Sequence, residues 1–96
     1  MIKMRVAICL LDLHIPAATS LKSKRQVIKS LVQRLRNRYN ISVTEVGSQN
    51  LWQRSELGIA VVCHNGAGAD KILESIFSFV EQENAVDIIS SKIENY

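Results

Sequence analysis

The 96-residue sequence contains little that would interrupt or staple a fold: four glycines, one proline and two cysteines. With so few breakers there is no long linker, disordered tail or low-complexity run. Cys9 and Cys63 stand singly in apolar runs without CxxC spacing, and no structural disulfide is expected. They read as buried free thiols. No apolar stretch approaches the ~20 residues of a membrane-spanning helix. Val6–Leu11 is too short for a signal peptide and is followed by Asp12 and His14. A soluble, cytoplasmic protein without membrane partner is expected. Catalytic groups are also scarce. No serine has a nearby His and Asp, no Cys/His pair falls at one end, and no ligand cluster has metal spacing. Asp12 and His14 share a strand side but lack a nucleophile. A non-catalytic protein with no metal and no cofactor is expected.

The charge distribution is the informative feature. Between Ser20 and Asn40 lie Lys22, Lys24, Arg25, Lys29, Arg34, Arg36 and Arg38, and no acid. That leaves five basic against nine acidic residues for the rest of the chain, so a net charge of +3 conceals a cationic segment in an acidic protein. Such a segment is a place to bind an anion.

Ninety-six residues make one domain, 1–96, able to bury about 60–65% of its unfolded surface. Lys3–His14 is apolar and reads as a strand closed by Ile15-Pro16. Ser20–Tyr39 has helical periodicity, with Leu21, Val27, Ile28, Leu31, Val32, Leu35 and Tyr39 on one face. Ile41–Gly47 alternates as a strand, with Ile41, Val43 and Glu45 on one side. Ser48–Asn50 signals a turn, and Leu51–Arg54 completes the loop before a strand from Glu56 to His64. Asn65–Gly68 breaks the chain as a tight connection. Ala69–Gln82 reads as a second helix and Val86–Ile93 as a last strand. The order βαββαβ with right-handed crossovers predicts an α+β ferredoxin-like sandwich, a four-stranded antiparallel sheet with two helices on one face. The first and third strands are central. His14, Lys22, Arg25, Trp52 and Arg54 then share one end, and His64 lies at the other, so the two histidines cannot share a metal.

On a helical wheel Arg25, Lys29 and Arg36 fall within a narrow arc with Lys22 beside it. Lys24 points near the apolar side and would have to snorkel. Cations in the first turn oppose the helix dipole, and open backbone N–H groups there would suit a phosphate. Trp52, the sole tryptophan, is available either to stack on a base or to close the core. His14 either contacts an anion or pins a strand end. Strand one is apolar on both sides (Val6, Ile8, Leu10 opposite Ala7, Cys9, Leu11), and Ala60 and Val62 extend the face that helices cannot cover. Such a patch predicts self-association, as a dimer, through the open face or an edge strand. It has no aromatic on the central strands, so base stacking on the sheet is not expected.

Leu13-His14-Ile15-Pro16, Ser20-Leu21-Lys22-Ser23-Lys24-Arg25, Leu35 to Val43 and Leu51-Trp52-Gln53-Arg54 resemble the YlxP-like proteins, small bacterial proteins grouped as a domain of unknown function. The resemblance spans essentially the whole chain and implies a ferredoxin-like fold. Family members are often encoded near translation factors and ribosome-binding factor A, which implies an RNA or ribosome context. Many have Gly at the position of Ala17 and an acid at that of Ser23, and the serine is expected to remove a capping box. The residues expected to meet an anion or nucleic acid are His14, Lys22, Lys24, Arg25, Lys29, Arg36, Trp52 and Arg54. The alternatives are a small-anion sensor taking a nucleotide or phosphometabolite, and an assembly protein acting through its sheet face.

Overall fold

The computed structural model describes residues 2–96. Its elements run β1 (Arg5–His14), α1 (Leu21–Arg38), β2 (Ser42–Gly47), β3 (Arg54–Cys63), α2 (Gly66–Glu81) and β4 (Asp87–Asn95). The sheet order is β2-β3-β1-β4 with every neighbouring pair antiparallel, which is the ferredoxin-like arrangement. No helix is long and apolar enough to cross a membrane among the described residues.

Several element ends shift from expectation by one to three residues, and two of the shifts have clear physical reasons. β3 begins at Arg54 because the β1–β3 ladder continues to the His14–Arg54 pair, so Arg54 belongs to the strand and not the loop. α2 begins at Gly66 because Asn65 is its N-cap, its side chain accepting the Gly68 N–H at 2.8 Å. The expected break over Asn65–Gly68 is thus a cap and first turn, where the backbone N–H groups are unpaired in any helix.

One sheet face carries the core. Ala7, Cys9, Leu11 and Leu13 of β1, Leu57, Ile59 and Val61 of β3 and Val43 of β2 are buried there. Ile28, Leu31 and Leu35 of α1 and Ala69, Leu73, Ile76 and Val80 of α2 close over them. The i, i+3, i+7 spacing of the α1 set and the i, i+4, i+7, i+11 spacing of the α2 set put one stripe of each helix against the strands. α1 packs on β2, while α2 spans β1, β3 and β4.

The opposite face has no cover. Ile8 and Leu10 of β1, Gly58 and Ala60 of β3 and Val46 of β2 line a groove of about 460 Å³, with Lys92 and Glu94 on its β4 side. The register shifts between Glu45 and Gly47, so Val46 sits in a bulge. Its side chain lies over Gly58, where an added Cβ would stand 2.9 Å from Val46 Cγ1. The glycine is what lets the bulge close down on the central strand.

Candidate nucleic-acid interface

Four of the seven cations on α1 have structural partners. Lys24 is fully buried at 0% exposure. Its ammonium donates to Glu45 Oε2 at 2.8 Å and to the carbonyls of Ser48 and Gln49, both at 3.1 Å. Ser55, also buried, donates its hydroxyl to the same Glu45 oxygen at 2.6 Å. Lys24 therefore does not snorkel and cannot meet an outside anion. Its expected place in the binding set is corrected, because three acceptors inside the fold satisfy its three donors. Arg34 pairs with Glu83 after α2. Arg36 donates to the Val43 carbonyl at 2.8 Å, which ties its guanidinium to the sheet edge while the residue stays exposed. Arg38 lies over the Tyr39 and Phe79 rings, 5.8 and 5.5 Å from their centroids.

Lys22, Arg25 and Lys29 remain. All three are exposed, and no hydrogen bond or ion pair engages their side chains among the described residues. Their i, i+3, i+7 spacing makes a stripe of about 10 Å along one side of the helix. Arg25 and Lys29 also border a shallow groove of about 320 Å³ between α1 and β2, whose lining includes Ile28, Val32 and Thr44.

The start of α1 is more fully capped than its sequence suggests. Ser20 Oγ accepts the Ser23 N–H at 3.0 Å, and Ser23 Oγ accepts the N–H groups of Thr19 and Ser20 at 3.0 and 3.2 Å. Ser23 thus completes a capping box instead of removing one, since a serine hydroxyl reaches the same donors as a carboxylate. Those N–H groups are not open to a phosphate. The Leu21 and Lys22 N–H groups of the same first turn make no hydrogen bond and stay open.

The β2–β3 loop stands beside this helix start and is clamped at both ends. Lys24 holds the carbonyls of Ser48 and Gln49. At the other end the Gln53 amide donates to Pro16 and Ala18 carbonyls, each at 3.1 Å, and the Gln53 carbonyl accepts the Ile15 N–H at 2.9 Å. Ser48 takes φ 57°, the left-handed geometry that turns the chain out of β2. Between the clamps Leu51 and Trp52 project into solvent, Trp52 at 55% exposure. Trp52 does not close the core.

The other end-cluster residues are engaged. Arg54 donates to Asp12 Oδ2 at 2.7 Å, so the expected anion contact is corrected to an ion pair on the open face. His14 Nδ1 lies 3.7 Å from Asp87 of β4, which suits a strand-end pin. His14 pairs in register with Arg54, while Cys63, next to His64, pairs with Arg5 at the opposite end. The expected separation of the two histidines is found. Sequence reading missed Gln53 and Glu45 as the residues that fix the loop. Glu45 had left a signal, since the alternation of β2 placed it on the side of Ile41 and Val43, facing the helix that carries Lys24.

The chain is similar to known proteins both in structure and in sequence. A de novo designed protein, Foldit4, superposes with a TM-score of 0.54 over 96% of both chains at 10% identity. A second design, described as having a ferredoxin fold, superposes at 0.47 over 96% of this chain and 82% of its own, at 16% identity. In sequence, 64 residues are 39% identical to the uncharacterized protein YlxP of Bacillus subtilis (strain 168), spanning 67% of this chain and 70% of that protein. The family model described as "Protein of unknown function (DUF503)" matches residues 6–93. The chain therefore belongs to the DUF503 family and has YlxP as a relative.

Proposed function

We propose that the protein is a non-catalytic, cytoplasmic RNA- or ribosome-associated binding protein. Its contact surface is the Lys22–Arg25–Lys29 stripe together with Trp52. One observation carries the reading: every other cation on α1 has a partner on this chain, Lys24 in the interior and Arg34, Arg36 and Arg38 at the surface, and the three left over share one side of the helix beside a clamped, exposed tryptophan. Cations track phosphates, and an aromatic ring supplies a sequence-tolerant platform for an unpaired base. Co-sedimentation with ribosomal subunits at low and high salt tests it. The wild type pellets at low salt and is released at high salt, and Lys22→Glu/Arg25→Glu/Lys29→Glu does not pellet. Equal pelleting of the two proteins overturns the reading. Saturable protection from heat by a nucleotide, without RNA affinity, would instead favour a small-anion sensor.

The uncovered apolar groove around Gly58 and Ala60 supports a second component, self-association through the open face or an edge strand.

A further inference from the structure

The two edges of the sheet are finished differently. On β2 the outward carbonyl of Val43 accepts Arg36, and that of Glu45 accepts the Gln49 amide at 3.4 Å. Those side chains blunt that edge against another strand. β4 carries no such cover. Val6 and Tyr96 exchange both of their backbone hydrogen bonds, at 3.3 and 2.8 Å, which sets the phase of the ladder. Tyr96, Glu94 and Lys92 turn their N–H and C=O groups toward β1, and Asn95, Ile93 and Ser91 turn theirs outward. Among the described residues nothing caps those outward groups.

We propose that a second copy of this chain pairs with this edge, β4 to β4 and antiparallel, with the two-fold axis at Ile93. The proposal rests on the self-association reading above and specifies its seam and register. An axis at Lys92 would set Lys92 opposite its own copy. An axis at Glu94 would do the same with two carboxylates, and like charges directly opposite destabilise a sheet. The axis at Ile93 sets Lys92 opposite Glu94 twice, on the open face, where both side chains line the apolar groove. It also pairs Ser91 with Asn95 and brings the outward N–H and C=O groups of all three residues into one ladder.

The other face agrees. Ile93 lies opposite Cys9 and so points to the helix side, yet it is 43% exposed. It borders a groove of about 290 Å³ lined also by Leu73 and Phe77 of α2. Ile93 of the partner would lie against Ile93 and cover the mouth of that groove. The product is one eight-stranded sheet with all four helices on one side. Because α1 packs on β2, the two basic stripes sit at its far ends, seven strand spacings or roughly 34 Å apart. One long polyanion would be gripped at both ends, with a gain from effective concentration.

Sedimentation equilibrium at about 10–100 µM, with folding checked by circular dichroism, tests the seam. The wild type is a dimer. Lys92→Glu is monomeric, and Lys92→Glu/Glu94→Lys restores the dimer. Ile93→Pro is a folded monomer, because the outward N–H it removes makes no bond to β1. In a Cys63→Ser background, Ile93→Cys oxidises to a disulfide-linked dimer, since the paired Cα atoms would lie about 5.5 Å apart. Glu94→Cys does not, its two Cα atoms being roughly 8 Å apart. A dimer that survives Lys92→Glu and Ile93→Pro and gives no Ile93→Cys link overturns the β4 seam while leaving self-association through the open face. A wild-type monomer at 100 µM overturns both. Linking through Glu94→Cys in place of Ile93→Cys overturns the register alone.

Discussion

Lys24→Met should be among the most damaging single substitutions in the chain, although it replaces a lysine on the most cationic helix. The ammonium is fully buried and makes three hydrogen bonds, at 2.8, 3.1 and 3.1 Å. Methionine fills much of the same volume but donates nothing. Glu45, 19% exposed at its side chain, keeps only the Ser55 hydroxyl. Breaking a buried pair from one side costs about 3–5 kcal/mol. A domain of this size has roughly 5–14 kcal/mol in total. The expected loss is therefore about 3–4 kcal/mol, or a fall in Tm of ~15–25 °C. Urea melts followed by circular dichroism and by Trp52 emission measure it. Removing both charges, with Lys24→Met/Glu45→Gln, should cost less than Lys24→Met alone, because no unpaired carboxylate is left. Release of the Ser48 and Gln49 carbonyls should also lower Trp52 anisotropy, since one clamp on its loop is gone. A loss below ~1 kcal/mol, as for an exposed lysine, would refute the reasoning, as would a double variant that is less stable than the single one.

The two faces of the sheet should respond differently to substitution: Ile59→Ala beneath the helices costs about 2–4 kcal/mol in a denaturant melt, whereas Val62→Thr on the open face, 65% exposed, stays within about 0.5 kcal/mol for the monomer. Trp52→Ala should leave stability within about 0.5 kcal/mol, yet weaken single-stranded RNA binding by roughly 5- to 150-fold, the worth of one stacked base; unchanged affinity would remove Trp52 from the interface. Burial raises the Cys9 thiol from 9.0 to about 11. Its contribution to stability is therefore complete below pH 9 and is lost as pH rises through about 11, and Cys9→Ala should flatten that alkaline decline. At pH 8 a thiol reagent should modify the part-exposed Cys63 and reach buried Cys9 only on unfolding; rapid titration of two thiols in the native protein would contradict this.

Much of the fold was legible because burial leaves a periodic trace. The alternation through Ala7, Cys9, Leu11 and Leu13 and the helical stripe through Ile28, Leu31 and Leu35 each follow from one face meeting a core. The open face was legible for the same reason, since Ile8 and Leu10 are apolar where no helix remained to cover them. The candidate site was less legible. A count of charges does not say which are spent on partners far along the chain. Lys24 finds Glu45 and Ser48, Arg34 finds Glu83, and Arg54 finds Asp12, each across more than twenty residues. Periodicity within one element cannot show such pairs. The Lys24–Glu45 pair was nonetheless half-written, as two opposite charges each on the apolar side of its own element. Ser23 misled for a local reason: it lacks a charge, but its hydroxyl caps the same N–H groups.

The central claim is that three cations, not seven, meet the polyanion. The slope of log K against log[salt] counts them directly. With each single-strand phosphate contact contributing about −0.7, Lys22, Arg25 and Lys29 predict a slope near −2 for a monomer on a short single-stranded RNA. Affinity would then fall roughly twenty-fold between 50 and 200 mM salt. Trp52 quenching gives the affinity at each salt concentration. Lys22→Ala should reduce the slope by about 0.7, and Lys22→Ala/Arg25→Ala/Lys29→Ala should bring it to near zero. A slope near −5, or one that the triple variant leaves unchanged, would contradict the account and return the buried and paired cations to the interface.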